Sequence, residues 1–176
     1  MIRKTLLTGA AALAFAAPAL AQEGAPAATT DAATASVEGA AADRSEALAG
    51  FFDQYDQAKL ALSPLGKSYR GIRDSSYAEW GEYSDASEEL EHQIDRAALT
   101  AMRESFDPAA LSEADALSYR LFEAAMARSN SLYPYRKYGY VFDQMNGAQS
   151  GLHAFLINIH RVSDESEAQD YVSRIA

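Results

Sequence analysis

Cysteine is absent from all 176 residues. That excludes disulfides and thiolate metal sites, and it excludes bacterial lipoprotein processing, which needs a cysteine at the cut. Histidine occurs three times, as His92, His153 and His160, and tryptophan once. Positive charge is scarce: 15 basic residues face 25 acidic ones, a net of −10. A field of that sign repels phosphate backbones and anionic lipid, so nucleic acid and acidic membrane surfaces are poor partners. Beyond the first 21 residues no run approaches the roughly 20 apolar residues of a membrane span, so no stable membrane anchor is expected there. No G-x-S-x-G elbow, phosphate-binding glycine loop or solenoid-length repeat is present.

What is present begins with a leader. Arg3 and Lys4 precede a small apolar run from Thr5 to Ala17, and Ala19-Leu20-Ala21 forms an A-x-A cleavage site before Gln22. Residues 1–21 therefore read as a signal peptide, and the destination is periplasmic or secreted. Removing Arg3 and Lys4 from the 15 leaves 13 basic against 25 acidic residues, a net of −12 for the mature chain. Residues 22–42 are mostly Ala, Gly, Pro, Thr and Ser, with Val37 the only large aliphatic residue. Such a segment buries too little surface to offset its ordering entropy and reads as a flexible linker.

Residues 43–176 read as one all-α domain, an irregular helical bundle with a long aromatic-rich loop. Leu48, Phe51, Phe52, Tyr55 and Leu62 repeat at helical spacing until Ser63-Pro64 ends the pattern. An irregular segment follows, carrying Tyr69, Ile72, Tyr77 and Trp80. A second helix is expected over about 84–104, with Leu90, Ile94, Ala97, Ala98 and Ala101 inward and acidic residues leading. Asp107-Pro108 breaks the chain. Ser112 and Asp115 match a capping box for a third helix over about 113–130, with Leu117, Leu121, Phe122 and Ala125 inward.

The least generic stretch runs from Tyr135 to His160. Tyr138, Tyr140 and Phe142 alternate, and Asn146-Gly147 suits a turn with positive φ. Flat aromatic faces beside polar side chains suit a binding wall, with Tyr138, Tyr140, Gln144 and Asn146 as candidate substrate contacts. The competing reading is a long connection pinned to the core by its rings. His153 and His160 share a side if one helix is continuous; Glu88 and His92 are four apart. Neither pair has a third ligand, and neither makes a metal site. No catalytic or metal residue is assigned. Asp164 to Glu167 starts a last helix whose apolar pattern, Ala168, Tyr171, Val172 and Ile175, is still running at Ala176. It reads as a domain cut at its C-terminal side.

The blocks FFDQYDQAKLALSPL, LSEADALSYRLFEAAM and FDQMNGAQSGLHAFLINIHRV followed by DYVSRI resemble the N-terminal part of a bacterial family, domain of unknown function 885 (DUF885). The resemblance covers about 51–176. It implies an exported, largely helical protein much longer than this domain, with zinc-peptidase-like chemistry on an H-E-x-x-H helix toward the C-terminus. None of the three histidines belongs to such a motif, so zinc is implied only for the complete protein and no cofactor for this chain. The implied role here is scaffold or substrate-channel wall, with a peptide as the whole protein's partner. Apart from the resemblance, Tyr171, Val172 and Ile175, with Leu152, Phe155 and Leu156, are expected to form an exposed apolar patch through which the segment alone self-associates. The alternative is a complete, non-catalytic helical binding protein of the periplasm.

Overall fold

The computed structural model describes residues 30–145 and 147–176. Residues 1–29, on which the expected signal peptide and the start of the expected linker fall, and Asn146 lie outside the described residues. Six α-helices are present among the described residues and no strand: α1 (Thr30–Ala61), α2 (Pro64–Tyr69), α3 (Asp85–Ser105), α4 (Glu113–Leu132), α5 (Ala148–Asn158) and α6 (Glu165–Ile175). The all-α expectation holds. No described helix is long and apolar enough to cross a membrane.

Helix starts follow local side-chain chemistry. Ser84 accepts from the Ser87 amide, Ser112 from the Asp115 amide and Asp164 from the Glu167 amide, each satisfying an amide that has no partner inside its helix. At α4 the Ser112 hydroxyl also donates to the Asp115 carboxylate, 2.6 Å away. Pro64 both ends α1 and opens α2. It stands at the first helical position, where a missing N–H costs nothing, and Ser63 caps it by accepting from the Gly66 amide. Helix α1 reaches back to Thr30, well before the expected start near Asp43.

The core lies where α1, α3 and α4 meet. Leu48 and Phe51 of α1 pack with Ala98, Leu99 and Met102 of α3, with Phe106 just beyond it, and with Tyr119 and Met126 of α4. Phe51 and Phe122 meet edge to face at 5.9 Å, and Tyr55 meets Phe122 the same way at 5.0 Å, a favoured aromatic geometry. Phe51 and Ile94 are buried as expected; Phe52 and Phe122 are half-buried.

Leu90, Leu117 and Leu121 correct the expected core: all three are exposed, Leu121 at 62%. Helix α4 carries two apolar stripes. The one facing the core is Ala116, Tyr119 and Met126 with Phe122 beside it, and Leu117, Leu121 and Leu132 face away. Helix α3 is likewise rotated, so that Asp95, Leu99 and Met102 are buried where Leu90 and Ala97 were expected.

Candidate functional site

Asp95 sits inside the apolar face of α3 and is 7% exposed. A carboxylate in that position must be compensated, and three helices converge to do so. From α1, the Tyr55 hydroxyl donates to it at 2.9 Å and the Lys59 ammonium lies 3.1 Å away. From α4, the Ser129 hydroxyl donates at 3.3 Å. Burial first, then the hydrogen bond to Asp95, pushes the Tyr55 phenol well above its usual range. Lys59 also holds Glu91 at 2.9 Å.

Lys59, Glu91, Asp95 and Ser129 line a cleft of about 200 Å³ that continues to His92, Tyr133 and Arg136. His92 stacks flat on Tyr133, with ring centroids 3.8 Å apart, and the Arg136 guanidinium lies 4.1 Å from the Tyr133 ring centre. Tyr133 donates to Glu89 at 2.5 Å. That bond lowers the Glu89 pKa and raises that of Tyr133. Arg136 reaches Asp85 at 2.8 Å and Glu88 at 3.3 Å. Glu88 therefore turns to Arg136 while His92 stacks on Tyr133. The cleft offers fixed donors and acceptors of both signs. Ser129 turns its hydroxyl to Asp95, whose carboxylate Lys59 and Tyr55 share.

A second buried cluster ties down the C-terminal helix. Arg174 is 5% exposed. Its guanidinium donates to the Glu79 carbonyl at 2.8 Å, the Ser68 hydroxyl at 3.2 Å and Nδ1 of His160 at 3.1 Å. It lies 4.7 Å from the Phe155 ring centre and 5.4 Å from those of Tyr77 and Trp80, so aromatic faces carry part of the compensation a carboxylate would supply. Trp80 Nε1 in turn donates to the Arg174 carbonyl at 2.9 Å. Gly81 follows with φ +102°, a conformation glycine adopts without strain, and so lets the chain turn directly after that indole. Tyr77 donates to the Arg161 carbonyl and accepts from its amide, closing the α5–α6 connection over the loop.

The residues proposed from sequence lie elsewhere. Tyr138, Tyr140 and Gln144 are exposed, Tyr140 at 91%, in a segment that folds back through a bond from the Ala148 amide to the Val141 carbonyl. Asn146 lies outside the described residues. The rings of this segment face solvent, so they do not pin it to the core. Tyr138, Tyr140 and Gln144 border neither the cleft nor the Arg174 cluster. Gly147 has φ −68°, not the positive φ expected of a turn glycine; a Cβ there would run into the Asp143 backbone nitrogen. His153 and His160 do not come together either. Helix α5 stops at Asn158, His153 is exposed, and His160 is buried beyond the helix end.

Sequence reasoning passed over Asp95 and Arg174. The signal was there: each is a charge inside an apolar helical stripe, Asp95 beside Ile94 and Arg174 between Tyr171 and Ile175. Among the described residues no group of three or more His, Asp or Glu is placed to hold a metal ion. His92 is stacked on Tyr133 and His160 faces a guanidinium.

The fold and its two clusters define an all-α protein whose buried charges join helices to one another. The chain belongs to the family of bacterial proteins of unknown function DUF885, whose sequence profile matches residues 64–176. No curated protein and no solved structure matches it.

Proposed function

We propose that this chain acts as the N-terminal segment of an exported protein that is zinc-metallopeptidase-like when complete, and that its helices are scaffold and one wall of the substrate channel. One observation carries the reading: among the described residues, large apolar side chains on several helices are exposed. Leu117, Leu121 and Leu132 on α4, Leu152 and Ile157 on α5, and Val172 and Ile175 on α6 are all exposed. Apolar area of that extent, distributed over the outer faces of a bundle, suits a body that further helices cover. The zinc chemistry comes from the family resemblance alone, and no step of it runs through the residues of this chain.

The test is a peptidase assay on the protein carried through its downstream coding sequence, beside the 176-residue chain. The longer protein should cleave unstructured peptides, lose that activity to a chelator and regain it with zinc. The 176-residue chain should be inactive. Chelator-resistant cleavage by the 176-residue chain would overturn the reading, as would a longer protein lacking zinc-dependent activity.

A second reading, a periplasmic binding protein without catalysis, draws on the outward rings of Tyr138, Tyr140 and Phe142. A stop codon directly after Ala176, together with a monodisperse monomer, would favour it.

A further inference from the structure

His160 is 5% exposed, and both of its ring nitrogens are engaged. Nδ1 faces the Arg174 guanidinium at 3.1 Å, and Nε2 faces the Glu167 carbonyl at 3.4 Å. A guanidinium has only hydrogens to give, so Nδ1 must present its lone pair. A carbonyl only accepts, so Nε2 carries the proton. The contacts thus admit one state of the ring, the neutral Nε2–H tautomer. Adding a proton would place an N–H against an N–H and one cation against another, in a site largely closed to water.

The surroundings do not offset a second charge. Arg174 makes no ion pair with a carboxylate among the described residues, and its Nε is buried without a hydrogen-bond partner. From α6, Asp170 and Glu167 act on His160 favourably but more weakly than burial acts against it. The Glu167 carboxylate is itself held by Arg73 of the loop at 2.6 Å. From the loop, the Tyr77 ring lies 4.4 Å from the imidazole; burial pushes the Tyr83 phenol up, away from ionisation, and the Trp80 indole carries no charge. Tyr171 closes the other side edge-on at 5.1 Å. Burial first, with Arg174 adding to it, holds the imidazole below its ordinary 6.5.

We propose that His160 and Arg174 form a proton-sensitive latch that holds α6 against α2 and the Tyr77–Trp80 loop at neutral pH and releases it when the imidazole is protonated. The sign follows from linkage. With the folded-state pKa depressed, the released state binds more protons below 6.5. The latch is therefore fully engaged above 6.5 and weakens as pH falls toward the lowered folded value. Opening α6 would uncover Phe155, Trp80 and Tyr77.

The one tryptophan of the chain is part of the latch, so its fluorescence reads the event directly. Trp80 emission and amide exchange of α6 are measured on the purified chain from pH 7.5 to 5, with exchange corrected for its intrinsic pH dependence. Emission should move to the red. Exchange in α6 should quicken by about tenfold or more while α3 stays protected. His160→Gln keeps one donor and one acceptor but cannot titrate, and should abolish both changes over this range. Nitrogen NMR of the unsubstituted chain should show the Nε2–H tautomer at pH 7.5, which keeps the proposal testable if the variant fails to fold. A His160 pKa at or above 6.5, an Nδ1–H tautomer, or an equal response in His160→Gln would overturn it.

Discussion

Replacing Met102 with alanine should destabilise the chain by roughly 2–5 kcal/mol. Met102 is fully buried at the junction of α1, α3 and α4, in one cluster with Leu48, Phe51, Phe106 and Tyr119. Truncation removes the transfer energy of its side chain and leaves a cavity bounded by three helices that cannot all move inward. Since whole domains are stable by only about 5–15 kcal/mol, the urea midpoint should fall sharply. The contrast is Leu121→Ala, which sequence periodicity would rank as equally severe. With Leu121 exposed, its cost should stay within about 0.5 kcal/mol. Equal costs at the two positions would mean that α4 presents its other stripe to the core.

Removing the carboxylate of Asp95 should have the second large effect. In Asp95→Ala the Ser129 hydroxyl loses its acceptor, the Tyr55 hydroxyl keeps only the weakly accepting Met126 sulfur, and Lys59 keeps only Glu91. Hydrogen bonds to a charged group are each worth about 1.5–3 kcal/mol, but Lys59 is partly solvated and screens its own share. A total near 3 kcal/mol is expected. A double-mutant cycle with Tyr55→Phe separates the phenol's part, because Tyr55→Phe in the Asp95→Ala background should cost much less than in the parent chain. Additive costs would show that Tyr55 and Asp95 do not depend on each other.

The contrast between Met102 and Leu121 shows where the sequence was readable. The starts of α3, α4 and α6 were, because caps are local, whereas α1 begins at Thr30, well before the Asp43 region where its start was expected. Ser84, Ser112 and Asp164 each bond an amide three residues on, and the starts of α3, α4 and α6 fell where those residues predicted. The inward face of α4 was not, because Leu117 and Leu121 lie on one apolar stripe and Tyr119 and Met126 on another. Both have helical period, and only the position of α1 and α3 decides between them. Pro64 was read as the end of one helix when it also begins the next. In α6 the stripe of Tyr171, Val172 and Ile175 suggested an ordinary apolar face. Instead Arg174 is buried, since Tyr77, Trp80 and Phe155 arrive from other elements to receive it. Tyr171 is half-buried, and Val172 and Ile175 are left exposed. Phe155, expected in an exposed patch with Leu152, is buried by the same cluster. Charges inside apolar stripes were the overlooked signal at both polar clusters.

The functional account rests on the outer faces of α4, α5 and α6 being covered by further chain. Sedimentation of the purified 176-residue chain, beside the same chain extended through its downstream coding sequence, tests this most directly. The account predicts that the 176-residue chain self-associates and binds a hydrophobic dye, while the extended protein sediments as one species with little dye bound. A 176-residue chain that remains a dye-free monomer at high concentration would contradict it.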